Sequence, residues 1–412
     1  MRTTTVLRVL LALQSLRVHG LEFDDEGLVC DVSPTNRIAQ CSECGRKVRG
    51  CYDRRQRTWR HLDLAGMKTV LRYQIRRVNC PACGVKVEDV AWAAPGSNFT
   101  LPFEEHVAFH AQQCSKTMVS RVMRIDWRTV GTIIRRVVAR HEEATGDRLD
   151  GLRIIGVDEL SYRRHHKYIT VVIDHERGEI VWASEGKSAA TLKRFFEELG
   201  PERCSELEAV TIDLSSAYIK AVTEASPRAR IIFDRFHVQR LAHDAVDEVR
   251  REEVRKAAPQ DRAALKHTRW ALHKNPWNLL DFEHDRLAQL QKANRSIYRA
   301  YLLKESLLAV LGRKQINVAR RKLDEWIAWA RRSRLRAFAR LSKTIEKHRD
   351  GILAYVQTGL SNGRSEALNG KARTITRRSY GFHSARALIA MLFLCCSGVK
   401  AEPAHVRPNS TH

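Results

Sequence analysis

Two short knuckles, Cys41-Ser-Glu-Cys44-Gly and Cys80-Pro-Ala-Cys83-Gly, constrain this chain more than any other feature. Each sets two thiols on one tight turn, and the glycine that follows tolerates the positive φ that lets backbone amides face the sulfurs. Four soft thiolates suit tetrahedral zinc. A closed four-thiolate set leaves no open coordination position, so the predicted role of Cys41, Cys44, Cys80 and Cys83 is structural, in folding and docking, and not catalytic. Buried core thiols or a redox pair would leave two matching knuckles unexplained. Cys51 and His61 lie off the paired spacing and read as ordinary residues. Cys30, Cys114, Cys204, Cys395 and Cys396 carry no pattern and read as packing residues. Ten cysteines in 412 residues, four of them paired in this way, indicate a reducing compartment and not a disulfide framework. The expected compartment is the cytosol.

Lys and Arg number 72 against 47 Asp and Glu, a net charge of +25 that calls for a polyanionic partner, nucleic acid first. The basic residues are spread along the whole chain instead of flanking an apolar anchor, which disfavours a membrane surface. No run approaches the ~18 apolar residues that span a bilayer. The apolar start Val6-Leu-Arg-Val-Leu-Leu-Ala-Leu13 is interrupted by Arg8 and has no small-residue cleavage site after it, so it reads as a short core helix and not a secretory signal.

Residues 1–96 are rich in cysteine, arginine and strand-like alternation, and form the expected zinc-binding domain. Residues 97–148 read as short helices: Pro102–His110, Lys116–Met123 and Trp127–Ala139. The last two, joined by Arg124-Ile-Asp126, make a helix-turn-helix candidate. Arg128, Thr129 and Thr132 would lie near the start of its second helix, where base edges are reached, with Arg135 and Arg136 on phosphate. The bland alternative is a helical spacer with a solvated basic face.

From Gly151 the pattern turns to strands. Leu152–Val157 is an apolar run ending in Asp158, and Tyr168–Asp174 and Glu179–Ala183 flank a turn, giving a three-strand meander. A helix-like Ala189–Leu199 follows. Ala209–Ile212 then ends in Asp213, a helix runs to about Ala225, and Arg230–Phe233 is a further strand. Strand, strand, strand, helix, strand, helix, strand is the element order of a ribonuclease-H-like α/β domain with a mixed sheet, expected over residues 149–400. Residues from about 236 to 357 read as a large helical insertion carrying Trp270, Trp277, Trp326 and Trp329, most of them expected in the core. Residues 401–412 are an expected flexible tail.

Three acids then stand out: Asp158 and Asp213 at strand ends and Glu366 in Ser361-Asn-Gly-Arg-Ser-Glu366-Ala-Leu-Asn-Gly-Lys-Ala-Arg373. Taken singly they read as turn-forming or surface acids. Around Glu366, however, Asn362, Arg364, Asn369, Lys371, Arg373, Arg377 and Arg378 gather polar and cationic groups. Glu366, Asn369 or Gly370, and Arg373 share one helical face, so the acid can hold metal while the arginine holds the DNA strand being cut. Oxygen-rich ligation of this kind suits two Mg²⁺ or Mn²⁺ ions. Asp234 and His237 lie three apart at a strand-to-helix junction; both facing the site, or Asp234 merely capping the helix, are left as alternatives. His165 and His166 read as surface residues.

Strand-Asp158, strand-Asp213, Phe233-Asp-Arg-Phe-His237 and Ser361-Asn-Gly-x-Ser-Glu366-x-x-Asn369-Gly-x-x-Arg373 together resemble the bacterial insertion-sequence transposases of the ISL-three family. The cysteine pairs, with Arg60-His-Leu-Asp-Leu64 and Arg76-Arg-Val-Asn-Cys80 between them, resemble that family's zinc-binding segment. The resemblance covers essentially the whole chain in order. It implies an Asp-Asp-Glu catalytic domain that cleaves and transfers DNA strands at terminal inverted repeats, with Asp158, Asp213 and Glu366 as metal ligands, and a homo-oligomer on paired ends. The rival readings are a DNA-binding regulator that no longer cuts, or a ribonuclease-H-like nuclease without strand transfer.

Overall fold

The computed structural model describes residues 10–11, 16–163, 167–259, 262, 265, 268–360, 363–379 and 381–403. Most of the expected first helix, His165, His166, Asn362, the tail from 404 onward and the side chain of Arg364 lie outside them. The chain forms two compact units. One comprises Met1–Thr145, Arg378–Tyr380 and Ala390–His412; the other comprises Gly146–Arg377 and Gly381–Ile389.

The first unit opens with strands β1 (Leu16–Asp24), β2 (Gly27–Pro34), β3 (Ala39–Gln40), β4 (Lys47–Val48), β5 (Asp53–Leu64), β6 (Met67–Cys80) and β7 (Gly84–Val87). Five form one sheet in the order β1-β2-β6-β5, with β7 on β6, and β3 and β4 pair as a small hairpin. Leu16, Leu28, Cys30, Trp59, Leu71 and Trp92 fill its core, the two indoles meeting edge to face at 5.7 Å. Three helices follow, α1 (Leu101–Gln113), α2 (Lys116–Met123) and α3 (Trp127–Thr145). Helix α1 starts where it does because Thr100 Oγ1 accepts from the Phe103 amide and Pro102 suits the first turn. Helix α2 stops at Arg124, which takes a left-handed φ of 53°. Val119, Met123, Val130, Ile133, Ile134 and Val137 recur at helical spacing on the buried faces of α2 and α3.

The second unit contains strands β8 (Ile154–Arg163), β9 (Lys167–Asp174), β10 (Glu179–Glu185), β11 (Ala209–Ile212) and β12 (Arg230–Phe233). Their order in the sheet is β10-β9-β8-β11-β12. The first three are an antiparallel meander, whereas β11 runs parallel to both β8 and β12. Strand β11 is buried at every position, as an apolar run covered on both faces requires. Helices α4 (Ala189–Leu199), α5 (Pro201–Glu206) and α6 (Ser216–Ala225) make the connections.

After β12 come α7 (Arg235–Lys256), α8 (Arg269–His273), a 3₁₀ turn at Pro276–Asn278, α9 (Asp281–Ala293), α10 (Arg295–Leu311), α11 (Ile316–Arg332), α12 (Arg336–Lys347) and α13 (Arg349–Thr358). These helices share one core with the sheet: Ile155 and Val210 belong to the same buried cluster as Leu307 and Trp326. Gly351 is needed for that union, since a Cβ there would lie 2.4 Å from the Phe233 ring. Helices α14 (Gly363–Arg378) and α15 (Ala385–Cys396) close the chain. Among the described residues, no helix is long and apolar enough to cross a membrane.

Two expectations need correction. Asp158 does not end a strand; β8 continues to Arg163 because β9 pairs with it beyond the point where β11 stops. The tryptophans also divide: Trp326 is buried and Trp329 half-buried, but Trp270 and Trp277 are 70% and 79% exposed.

Candidate active site and DNA-binding elements

Strand register builds the site. Thr211 of β11 is level with Gly156 of β8, and Ile212 is level with Phe233 of β12. Continued one or two residues, the same registers set Asp158, Asp213 and Asp234 in a row across three neighbouring strands, about 4.8 Å apart per strand. The carboxyl ends of the two short strands therefore deliver Asp213 and Asp234 beside Asp158 without any need for a special loop.

Both oxygens of Asp158 are held. Oδ1 accepts from the Glu159 amide at 2.7 Å, and Oδ2 accepts from the Asn369 side chain of α14 at 2.5 Å. Asn369 is itself buried. Glu366, one turn earlier on α14, is exposed and acts electrostatically on Asp234. His237 Nε2, in the first turn of α7, lies 2.7 Å from Asp213 Oδ1 and 3.9 Å from Asp234 Oδ2. Asp234 also caps α7 by accepting from the Phe236 amide at 3.2 Å. Asp213, Asp234 and His237 offer ligand atoms all within 4.8 Å of one another.

The electrostatics fit a cation. Burial raises the Asp158 carboxyl, and the Asp213 charge adds to that effect against the hydrogen bonds from Glu159 and Asn369. Asp234 is pushed up to about 6, chiefly by burial, with the charges of Asp213 and Glu366 adding to that effect against the Phe236 amide and His237. Burial alone would lower His237, but the hydrogen bond and charge of Asp213 and the charge of Asp234 outweigh it and leave the imidazole raised. Clustered carboxylates resist ionising together, and a bound divalent ion of hard, oxygen-seeking character relieves that strain. One acid escaped the sequence reading: Glu159, half-buried and hydrogen-bonded to Tyr218, feels the charges of Lys187, Asp213 and Asp158. Its only signal was adjacency to Asp158.

Of the basic residues assigned to DNA, Arg373 and Arg377 are exposed and line a cleft of about 170 Å³ with Leu160 and Ser161 of β8. Lys371 is exposed on the same helix. Arg378 is not available: it donates to the carbonyls of Gln112 at 2.8 Å and Ala111 at 3.0 Å, satisfying the end of α1. Arg136 is likewise withdrawn, because it pairs with the fully buried Glu104, Nε to Oε1 at 2.7 Å. Arg128 and Arg135 are exposed on α3, where Arg135 donates to Thr132 at 3.0 Å, and Thr129 and Thr132 are half-buried.

The four knuckle cysteines converge, their sulfurs all within 4.8 Å of one another, with Cys44 and Cys80 at 3.6 Å. Gly45 and Gly84 take φ of 67° and 74°, as the knuckles require. Four thiolates at this separation fit tetrahedral zinc. His61 and Cys51 stand outside the cluster: His61 is buried between Thr100 and the Leu11 carbonyl, and the Cys51 thiol faces the Asp53 carbonyl.

Sequence comparison places these features in one lineage. Residues 155–392 match a family described as transposase, residues 38–83 the zinc-finger of transposase IS204/IS1001/IS1096/IS1165, and residues 88–138 the helix-turn-helix domain of transposase family ISL3. The chain belongs to the ISL3 transposase family. A "Transposase for insertion sequence element IS1557" of Mycobacterium tuberculosis is 40% identical, over 97% of this chain and 96% of its own. A "Transposase for insertion sequence element IS1001" of Bordetella parapertussis is 29% identical over 89% and 91%. The transposase carries the family's Asp-Asp-Glu chemistry, which uses divalent metal, together with DNA-binding and zinc-binding elements.

Proposed function

We propose that this chain cuts and rejoins DNA at the ends of its own insertion sequence through a ribonuclease-H-like core in which Asp158, Asp213 and Glu366 are the metal-holding acids. The observation that carries this assignment is the row of carboxylates across β8, β11 and β12, with α14 bringing Glu366 and Asn369 to it. The sheet order β10-β9-β8-β11-β12, antiparallel then parallel, supports the ribonuclease-H-like topology.

Divalent ions, when bound, would activate the attacking oxygen and steady the leaving oxygen at phosphorus. The chain's own residues do the rest. Asn369 and the Glu159 amide fix the orientation of Asp158. His237, with Nε2 at 2.7 Å from Asp213 and 3.9 Å from Asp234, holds the Asp213 carboxylate in place. Arg373 and Arg377 hold a phosphate of the strand being cut. Water is the first nucleophile and the freed 3′-hydroxyl the second, so no serine or tyrosine nucleophile is required.

Helix α3, through Arg128, Thr129, Thr132 and Arg135, reads the terminal repeat, and the zinc knuckles hold the N-terminal sheet in its fold. The functional divisions we assign are 1–96 for zinc binding, 97–148 for repeat recognition and 149–400 for catalysis. Joining two ends calls for a homo-oligomer on paired DNA, working on chromosomal DNA in the bacterial cytoplasm. The test is a cleavage and strand-joining assay with purified protein, Mg²⁺ and the DNA flanking its gene, beside Asp213→Ala. Metal-dependent nicks and joined products, absent from a variant that still binds, support the proposal. Binding without cutting by either protein moves the reading to a regulator, and nicks without joined products move it to a nuclease.

A further inference from the structure

The stretch from Arg269 to Phe282 presents Trp270, Trp277, Leu280 and Phe282 to solvent, 70%, 79%, 55% and 51% exposed. Four large apolar side chains this open within fourteen residues are unusual for a folded surface. The segment is also braced. Lys304 of α10, wholly buried, donates to the carbonyls of Leu272 at 2.8 Å and Lys274 at 3.4 Å. Lys274 in turn pairs at 2.7 Å with the buried Glu283, which also accepts from the Leu280 amide at 2.9 Å. Burying a lysine and a glutamate to fix a turn is costly, and what it fixes here is the presentation of aromatic rings to solvent.

Arg269 lies over Trp270 at 5.6 Å and Arg286 over Phe282 at 5.3 Å. Arg269, Lys274 and Arg286 stand among these rings against Asp281, Glu283 and Asp285, and the end of α7 adds Arg250, Arg251, Arg255 and Lys256 against Glu252 and Glu253. Exposed rings interleaved with cations match a nucleic-acid strand, whose bases stack while its phosphates are neutralised. A second copy of this chain would bring the same cations face to face. The segment is also tied to the active site: the His273 ring of α8 packs at 5.0 Å on His243 of α7, six residues and about 9 Å along the helix from His237.

We propose that Trp270 and Trp277, with Phe282, form a stacking platform for unpaired bases of a DNA strand held at the active site, a reading that rests on DNA being the substrate. The test is fluorescence anisotropy with the full chain in magnesium-free buffer at fixed salt, using labelled oligothymidine and a blunt duplex of the flanking repeat. Trp270→Ala combined with Trp277→Ala should weaken oligothymidine binding by roughly 10- to 100-fold and duplex binding by less than about twofold. Trp270→Phe with Trp277→Phe should retain most of the affinity, because a ring remains. Equal weakening on both probes, or no weakening on either, overturns the proposal. So does a shift from multimer to monomer in sedimentation with oligothymidine affinity unchanged, which would make the patch a subunit contact. A strand-selective loss measured in the Asp213→Ala background supports the platform whether or not the intact chain cleaves, so the two readings fail separately.

Discussion

The side chain of Asn369 donates to Asp158 Oδ2 at 2.5 Å, joining α14 to β8 across 211 residues of chain. With the Glu159 amide on Oδ1, it leaves Asp158 one orientation. Asn369→Ala should therefore reduce strand cleavage about 10- to 100-fold and raise the Mg²⁺ needed, at unchanged duplex affinity. Asn369→Asp, which keeps the size but cannot donate and adds a like charge, should be no better. Full cleavage by either variant would remove the positioning role.

His237 bridges Asp213 and Asp234. Replacing it with alanine should weaken Mn²⁺ binding by about 10- to 100-fold in calorimetry. If Mn²⁺ affinity is unchanged while stability drops, His237 is a helix-terminal packing residue instead.

Glu104 is fully buried and accepts from Ser97, Arg136 and Arg140. Removing one partner of such a cluster strands buried charge, so Glu104→Ala should cost about 3–5 kcal/mol in urea unfolding of the first unit. Duplex binding should fail with it. Unchanged unfolding would mean that Arg136 and Arg140 reach water freely.

The chain should hold one zinc per molecule by elemental analysis. Cys44→Ser should release it and lower the melting temperature of the N-terminal sheet, because metal binding to such a site is folding free energy. A metal-free protein of undiminished stability would point to plain thiols.

Burial holds the His61 imidazole down to about 4, against the Leu11 carbonyl that its Nε2–H reaches at 3.0 Å. The folded value lies below the unfolded one, so the unfolded chain takes up a proton first as pH falls. Stability is thus full above about 6.5 and declines towards pH 4, by about 3 kcal/mol at most. Zinc thiolates titrate in the same direction, so the check is the difference in pH slope between the intact chain and His61→Gln. Parallel slopes would dismiss the assignment.

The strands, the helix-turn-helix elements and the cysteine cluster were legible because each is set by local periodicity or spacing. Asp213 was legible for the same reason, since its strand is short and ends just before it. What sequence concealed depended on tertiary pairing. Asp158 sits inside a strand lengthened by its hairpin partner. Arg136 and Arg378 look like any basic residues until Glu104 and the end of α1 claim them. Trp270 and Trp277 resemble core residues by type, and only the buried Lys304 and Glu283 reveal that their turn is fixed for display.

The union of β8 with α14 also has a temporal meaning. Everything from α7 to α13 must be synthesised before Asn369 and Glu366 can meet Asp158 and Asp234, since these helices lie between them in the chain. A ribosome-bound chain that has not reached residue 366 holds two of the three proposed acids and no competent centre. The same holds for a fragment clipped by a protease between β12 and α14. An endonuclease able to scar the chromosome is in this way harmless while being synthesised and easily disarmed while being degraded.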